Sequence, residues 1–307
     1  LLAGSASAAQ LPAVDAASPD VLSAGERITG AGIDVSQYQG VIDWDTTAQY
    51  IDFAIIRCGR GSDLTAQDDT KWAVNTAACE RLGIPYGVYL YSLAQTDEEA
   101  RSEAAHALRL LDGKHPQLPV YLDLEDSGIR DNCTKAEVLR HATIFCETLQ
   151  AAGYSVGVYA NRYWWTTTLD DPAYDRWDRW LAVWAAETGY SGSYSTWQNS
   201  NSGRIPGIQA NVDLDLRYGA SLRADHTHDY RITEHVALTC TDFGQNVYTC
   251  GGCGASVTQP LRPLGGEHVW DGGTVVQQAS CAGDGVRRYT CTRCGTTRTE
   301  TIPCLLY

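Results

Sequence analysis

The chain has 307 residues, of which 44% are hydrophobic and 20% charged, and this composition excludes an intrinsically disordered protein. The length predicts one large domain followed by something smaller, and no stretch approaches the roughly 18 consecutive apolar residues of a membrane span. The net charge is −14, and residues 223–307 hold seven Arg and eight Asp or Glu, so the first 222 residues carry −13, which excludes nucleic-acid phosphates as a partner.

Residues 1–27 come before any regular pattern of apolar residues. Positions 1–10 are apolar and rich in small residues, with a small-x-small pattern at Ala6 and Ala8 that is typical of the end of a secretory signal peptide. The stretch 10–27 is rich in Ala, Ser, Asp and Pro and is typical of a linker. A flexible N-terminus without a targeting role is the alternative. We therefore predict a protein that is secreted or associated with the cell surface.

Eight short apolar runs follow, and helical stretches separate them in the first half of the region. The runs are Ala31–Ser36, Phe53–Gly59, Pro85–Ser92, Pro119–Glu125, Ser155–Asn161, Arg179–Trp184, Ser195–Gln198 and Val212–Tyr218. The spacings Thr96-x-x-Glu99 and Thr134-x-x-Glu137 predict capping boxes at two helix starts. Because helical patterning weakens in the second half, we predict an irregular α/β barrel, TIM-like with fewer helices than strands, over residues 28–222. In such barrels the chemistry lies at the C-terminal ends of the strands.

The run that ends at Glu125 carries two carboxylates two positions apart. Since alternate side chains of a strand face the same side, Asp123 and Glu125 are expected to project together into the mouth of the barrel. Each ionised carboxylate raises the pKa of the other, which keeps one of them protonated as a general acid. Asp34 ends the first strand and Asp213 begins the last, and these strands become neighbours when a barrel closes. The alternative is that these acids are solvated strand ends or ion-pair partners.

Aromatic and amide side chains cluster at the predicted strand ends. They are Tyr89, Tyr91, Tyr159, Trp184, Trp197 and Gln198. Aromatic faces stack on sugar rings while carboxylates and amides bind hydroxyl groups, so this mixture suits a groove for a glycan. An aromatic residue on a strand is more often part of the core, and we expect about half of these side chains to line the site.

Eight segments occur in an order and spacing that are typical of one known family. They are Gly-Ile-Asp-Val-Ser-Gln-Tyr-Gln-Gly at 32–40, Ile42–Trp44, Phe53–Arg57, Gly83–Ser92, Val120–Glu125, Gly153–Asn161, Trp197–Gln198 and Asn211–Asp213. Over residues 30–220 the chain thereby resembles glycoside hydrolase family 25, the N-acetylmuramidase-type lysozymes.

The resemblance implies hydrolysis of the β-1,4 bond between N-acetylmuramic acid and N-acetylglucosamine in bacterial peptidoglycan, without a cofactor for catalysis. Carried over by position, Glu125 is the general acid, and Asp123 orients the 2-acetamido group of the substrate or supports the cation-like transition state. Asp34 and Asp213 shape the site and tune Glu125, and Tyr38 joins the aromatic contacts to the substrate. A monomer is expected. The alternative on the same barrel is a non-catalytic protein that binds glycans.

After residue 222 the cysteines become dense and an internal repeat appears. Cys240, Cys250 and Cys253 recur 41 residues later as Cys281, Cys291 and Cys294, and His228 recurs 40 residues later as His268. We predict two small β-rich repeats, at 223–263 and 264–307, which resemble Cys-rich tandem repeats of bacterial surface proteins. Three thiolates and one imidazole form a closed tetrahedral zinc shell, so the pattern predicts one structural zinc in each repeat. Disulfides are the alternative, favoured by the predicted secretion.

Overall fold

The computed structural model describes residues 28–304 with the exception of 186, 219–229, 243, 253, 255, 262–265, 281 and 282. The predicted signal-peptide remnant and linker at 1–27 therefore lie outside the described residues. The described residues divide into two compact units. The larger unit comprises 28–231 and 248–260 and contains the barrel, and the smaller unit comprises 232–247 and 261–304.

The strands of the larger unit close into an eight-stranded barrel that follows the apolar runs of the sequence. They are β1 (Ile28–Val35), β2 (Phe53–Arg60), β3 (Tyr86–Tyr91), β4 (Val120–Asp123), β5 (Val156–Asn161), β6 (Asp178–Ala182), β7 (Thr196–Gly203) and β8 (Val212–Tyr218). Neighbouring strands from β1 to β7 are parallel, whereas β8 is antiparallel to both β7 and β1.

Six α-helices accompany these strands in the part of the chain that the structure describes. They are α1 (Trp44–Thr47), α2 (Trp72–Leu82), α3 (Asp97–Leu110), α4 (Ser127–Asn132), α5 (Lys135–Ala151) and α6 (Arg162–Thr167). The two longest, α3 and α5, begin with the predicted capping boxes, in which Thr96 pairs with Glu99 and Thr134 with Glu137. With fewer helices than strands around a closed barrel, the predicted fold class is confirmed.

Strand alternation sorts the side chains of the barrel into an outer and an inner core. On β4 and just after it, Val120, Leu122 and Leu124 pack in the outer core with apolar residues of the helices. Tyr121 faces the interior instead. The inner core consists of Phe53, Ile55, Leu118, Tyr121, Tyr159, Trp180 and Ala182. The same alternation directs Asp123 toward the interior, at the end of the strand where the inner core stops.

Two small three-stranded sheets follow the barrel in the sequence. The first has the order β11-β10-β9 and the second the order β12-β13-β14. Their strands are β9 (Tyr230–Val236), β10 (Gly244–Cys250), β11 (Ser256–Leu261), β12 (Thr274–Gln277), β13 (Gly285–Thr290) and β14 (Thr297–Ile302). The predicted boundaries of the two repeats stay predictions. None of the described helices combines the length and the apolar character that a membrane crossing requires.

Candidate active site

Four acidic side chains from three strands meet in one cleft at the C-terminal ends of the parallel strands. The cleft has a volume of about 460 Å³, and Asp34, Asp123, Glu125 and Asp213 all line it. This volume lies in the range of pockets that enclose small molecules or single sugar units. The strand geometry expected from the sequence, with Asp123 and Glu125 on one side, is the geometry that the structure has.

The end of β4 gives its two carboxylates different exposures. Asp123 is the last residue of the strand and is buried, whereas Glu125 follows the strand and is exposed in the cleft. The next residue, Asp126, begins helix α4 by accepting a hydrogen bond from the backbone N–H of Gly128 at 2.8 Å. The chain on either side of Glu125 is therefore held by a strand and by a capped helix, which fixes the position of its side chain.

The other two acids reach the same end of the barrel from the C-terminal end of β1 and from the start of the antiparallel β8. Asp34 and Asp213 are paired neighbours in the register of β1 and β8. Because β8 runs opposite to β1, its second residue lies beside the C-terminal end of β1. Two positions further along β8, Asp215 faces the same interior and is buried, and its Oδ1 accepts a hydrogen bond from Trp180 Nε1 at 2.8 Å.

A buried amide connects the acids to the aromatic residues. Gln198 on β7 donates from Nε2 to Asp34 Oδ2 at 2.7 Å. Its Oε1 accepts from the Tyr159 hydroxyl at 3.0 Å and from Trp184 Nε1 at 2.9 Å. The indole N–H of Trp184 can only donate, so it requires the amide oxygen on its side and orients the amide nitrogen toward Asp34.

The cleft has an aromatic floor centred on Trp180. The ring centroids of Tyr89, Tyr121 and Tyr159 lie 5.8, 5.2 and 4.5 Å from that of Trp180, each at a steep angle. Edge contacts of this kind pack large rings without voids. The floor therefore removes water from beneath the carboxylates.

A short turn after β1 forms one side of the rim. Ser36 caps a 3-10 turn over Gln37–Gln39, and this turn leaves the Tyr38 ring 72% exposed. The guanidinium of Arg57 lies 4.9 Å from the centroid of that ring and donates from Nε to Asp69 Oδ2 at 2.7 Å. Arg57 is thus held in place from two sides at the edge of an acidic cleft.

Burial raises the pKa of both carboxylates at the end of β4. For Asp123 the charge of Glu125 raises the pKa further, while the nearby charge of Arg57 lowers it. For Glu125 the cleft walls remove part of the surrounding water and so raise the pKa, although the side chain stays accessible. The neighbouring hydroxyl of Tyr159 lowers the pKa of Glu125, and the charge of Asp126 raises it.

Burial is also the first cause of raised pKa values in the acids of β1 and β8. The charges of Asp213 and Asp215 add to the rise in the pKa of Asp34. The pKa of Asp213 rises to about 7, through burial and then through the charge of Glu125. Like charges this close together are not all ionised at neutral pH, so the cleft retains protons that it can donate.

The comparison with known families identifies the family of the chain. The family model described as glycosyl hydrolases family 25 matches residues 33–208, which is more than half of the chain. The chain belongs to this family. It is therefore a glycoside hydrolase, and this argues against the alternative of a non-catalytic glycan-binding protein. Lysozyme M1 of Streptomyces globisporus is 26% identical over 236 residues, which cover 67% of this chain and 74% of that protein.

Solved structures of other proteins are similar to the barrel. The modular autolysin LytC of Streptococcus pneumoniae, in complex with a synthetic peptidoglycan ligand, matches with a TM-score of 0.56 and 27% identity, over 62% of this chain and 46% of LytC. The match therefore spans about half of LytC. A family 25 glycosyl hydrolase from Bacillus anthracis matches with a TM-score of 0.55 and 23% identity, over 65% of this chain and 95% of that protein, which shows a shared fold.

The predicted aromatic contacts divide into three groups. Tyr38, Tyr89 and Tyr91 line the cleft. Tyr159 and Gln198 are buried beside it and connect to the acids through hydrogen bonds, and Trp184 is half exposed and bonded to Gln198. Trp197 requires a correction, because its side chain is buried and its Nε1 donates to the carbonyl of Val183 at 2.8 Å. Since Gln198 points into the barrel, strand alternation turns Trp197 away from it.

Several lining residues were not among the sequence-based candidates. They are Ser36, Gln39, Arg57, Arg60, Leu93 and Asp126. The predicted strand over residues 53–59 provides a signal for Arg57, because the period of two places position 57 on the same face as the interior residues Phe53 and Ile55. Asp215 carries the same signal relative to Asp213, and it contacts the acids from below the cleft.

Outside the barrel, the structure groups the candidate metal ligands differently from the predicted repeats. Four side chains have ligand atoms that all lie within 4.8 Å of one another, namely Cys240, His268, Cys291 and Cys294. Cys240 was expected to pair with ligands of its own repeat, but it lies with three residues of the next one. Cys250 is not in this group. The other predicted ligands, His228, Cys253 and Cys281, lie outside the described residues.

Proposed function

We propose that this protein is a secreted lysozyme that hydrolyses the β-1,4 bond between N-acetylmuramic acid and N-acetylglucosamine in bacterial peptidoglycan. The observation that carries the proposal is the arrangement at the end of β4, where an exposed Glu125 and a buried Asp123 line one cleft. A lysozyme among the relatives and a family structure with a peptidoglycan ligand support the choice of substrate. Secretion is proposed from the sequence of residues 1–10.

Glu125 acts as the general acid. Glycoside hydrolysis requires a protonated carboxyl group beside the leaving oxygen and a second group that stabilises the positive charge of the sugar. Glu125 meets the first requirement because it is accessible in the cleft and has a raised pKa. Protonating the oxygen of the glycosidic bond lets that bond break without releasing a free alkoxide.

Asp123 assists from beneath the bond. Its Oδ1 is buried and accepts no hydrogen bond from the described residues. A buried acceptor in that state is destabilising unless a polar group binds it, and the N–H of a 2-acetamido group is a donor of the right kind. Asp123 would thereby orient the acetamido group or stabilise the cation-like transition state. The proposed chemistry uses carboxyl groups alone and needs no cofactor.

Asp34 and Asp213 shape the other wall. Gln198 fixes the orientation of Asp34, and the charges of both acids keep protons in the cleft. Tyr38, with its exposed ring on the rim, is placed to stack on a sugar of the glycan.

The assay for the proposal is the clearing of a suspension of bacterial cell walls. Glu125→Gln keeps the size of the side chain and removes the proton that it donates, so we expect clearing to fall by about 10²-fold to 10⁴-fold. Glu98→Gln is the matched control, because it alters an exposed glutamate of α3 outside the cleft, and it should clear walls at the rate of the parent. A Glu125→Gln protein as active as the parent would disprove the assignment of the acid.

The bond is identified from the products. Mass analysis of digested peptidoglycan, after reduction of the new chain ends, shows which sugar carries the reducing end. We expect N-acetylmuramic acid at that end. N-acetylglucosamine at the reducing end would contradict the proposed bond while leaving the hydrolase assignment intact.

A further inference from the structure

Four metal-binding side chains lie together in the smaller unit, apart from the acids of the barrel. Cys240 lies in the turn between β9 and β10, whereas Cys291 and Cys294 lie in the turn between β13 and β14, and His268 precedes β12. All of their ligand atoms lie within 4.8 Å of one another. The cluster therefore combines one residue of the first repeat with three residues of the second.

The distances between the ligand atoms fit a tetrahedral metal and do not fit a disulfide. Cys240 Sγ and Cys291 Sγ are 3.8 Å apart, whereas a disulfide bond is about 2.05 Å long. A tetrahedron with zinc–sulfur bonds of about 2.3 Å places its sulfur atoms about 3.8 Å apart. Cys294 Sγ lies 3.4 Å from His268 Nδ1, close to the ~3.6 Å expected for a sulfur–nitrogen edge of the same tetrahedron.

The turn between β13 and β14 presents two of the thiols in a fixed conformation. The backbone N–H of Gly295 donates to the carbonyl of Cys291 at 2.9 Å, and Gly295 has a φ of 75°, which glycine adopts without strain. The thiol of Cys294 donates to the hydroxyl oxygen of Thr296 at 3.3 Å, and the same hydroxyl can donate to the sulfur once a metal has displaced the thiol proton. A hydrogen bond to sulfur orients the thiolate and stabilises its negative charge, as residues that hydrogen-bond to the ligands do in metal sites.

The other two side chains are also held by their surroundings. Thr239 Oγ1 accepts hydrogen bonds from the backbone N–H groups of Thr241 and Asp242 at 3.1 and 2.8 Å. The side chain of Thr239 therefore closes the turn that carries Cys240. The His268 ring stacks on Trp270 with centroids 5.0 Å apart. Cys240 and Cys291 are buried. The four side chains therefore converge on one point and are held there by contacts of their own turns.

We propose that Cys240, His268, Cys291 and Cys294 bind one structural Zn²⁺ that is shared between the two repeats. Three thiolates and one imidazole complete the tetrahedral shell and leave no open position for substrate, so the metal stabilises the unit and takes no part in hydrolysis. The site joins residues 51 positions apart. The described residues of this unit form little apolar core, and in such a unit a metal contributes a large part of the folding free energy.

A shared site and separate sites predict different zinc losses on mutation. Four proteins are compared: the full chain, Cys240→Ser, Cys291→Ser, and the variant that carries both substitutions. Each is dialysed against a moderate chelator, and the zinc content per chain is measured by elemental analysis. With a shared site, each single variant loses one equivalent and the double variant loses no more than either. Cys133→Ser, in the barrel, should lose none. A double variant that loses two equivalents, or a parent chain without zinc, overturns the proposal.

A second experiment uses the unaltered chain and does not depend on the folding of variants. Alkylation with N-ethylmaleimide, followed by peptide mass analysis, reports which thiols are protected before and after zinc is removed. We expect Cys240, Cys291 and Cys294 to be protected together and to become reactive together. A Cys240–Cys291 disulfide found under non-reducing conditions, or a Cys240 that reacts equally with and without zinc, refutes the shared site.

Discussion

At the scale of single residues, the proposed chemistry depends on two carboxylates that are two positions apart and differ in exposure. Both have raised pKa values because protein replaces water around them, but only Glu125 is accessible to a leaving sugar. Asp123 lies one layer deeper, where it faces the acetamido side of a bound substrate in the proposed mechanism. Exposure, more than charge, therefore separates the donor from the assisting group.

The residue that follows the proposed general acid affects the pKa of its carboxyl group. The charge of Asp126 raises the pKa of Glu125, so Asp126→Asn should lower it. A general acid is active while protonated, so activity is lost as the pH rises through its pKa. The alkaline limb of the pH–activity profile should therefore move to lower pH. Helix α4 should be unaffected, because Asn caps a helix as well as Asp does.

The measurement is the initial rate of wall clearing across the pH range. Asp131→Asn, which alters an exposed acid of the same helix, is the control and should leave the profile in place. An alkaline limb that stays where it is in Asp126→Asn, or moves upward, would show that another group donates the proton.

At this scale the strand period predicts which side chains share a face but not how deep each one lies. Asp123 and Glu125 were placed together on that basis, and both line the cleft. Trp197 and Gln198 were both expected at the site, although alternation places adjacent residues on opposite faces, and it is Trp197 that turns away from the acids. Depth depends on the floor that Trp180 builds from three tyrosines of other strands, which no local pattern contains.

At the scale of elements, the direction of β8 decides whether the site is complete. A parallel β8 would carry Asp213 to the opposite end of the barrel. The sequence contains a signal for the observed direction, because only residues 204–211 connect β7 to β8, and a parallel crossover requires about a dozen residues or more. The eight runs and the capping boxes were predictable because they are local. The closure of β8 onto β1 was predictable only from the barrel as a whole.

Gln198 ties three strands together, since its partners lie on β1 and β5 and it belongs to β7. Gln198→Met keeps the length of the side chain but leaves Asp34 and Tyr159 without their buried partner. We expect the free energy of unfolding to fall by about 1–3 kcal/mol, with a loss of activity because Asp34 is no longer oriented. Urea denaturation of the parent and the variant measures the first effect and wall clearing the second.

The matched control for this change is Gln49→Met, because Gln49 is exposed and lies outside the cleft. Its free energy of unfolding should remain within about 0.5 kcal/mol of the parent. Equal stabilities of Gln198→Met and Gln49→Met would mean that the buried amide contributes nothing to the joining of the strands.

At the scale of the whole molecule, the sequence predicts a barrel followed by small repeats, and the structure adds contacts that cross the predicted boundary at residue 222. The Tyr230 hydroxyl donates to Asp52 Oδ2 at 3.0 Å, so the chain beyond that boundary still contacts residues of the barrel. The boundary was drawn where helical periodicity ends and cysteines begin, and composition does not report such a contact. The sequence did not predict that Cys240 lies with ligands of the second repeat. Repeat symmetry predicts one equivalent site in each repeat, not a site shared between them.

The acid cluster also makes the stability of the barrel depend on pH. The folded pKa of Asp213 is raised from 3.8 to about 7, so between these values the folded state binds more protons than the unfolded state. Its contribution to the free energy of unfolding therefore decreases as the pH rises through this window and is constant outside it. Removing the carboxyl group should remove that slope. The stability of Asp213→Asn relative to the parent should rise as the pH increases from about 4 to about 7.

Urea denaturation followed by tryptophan fluorescence measures this difference in the barrel, because eight of the nine tryptophans precede residue 200. Comparing parent with variant at each pH cancels the groups that titrate equally in both, including histidines. Asp112→Asn, an exposed acid beyond α3, should differ from the parent by a constant amount. A relative stability of Asp213→Asn that is flat or decreases over the same window would show that this carboxyl group is ionised in the folded cleft, and the cleft would then hold one proton fewer for the reaction.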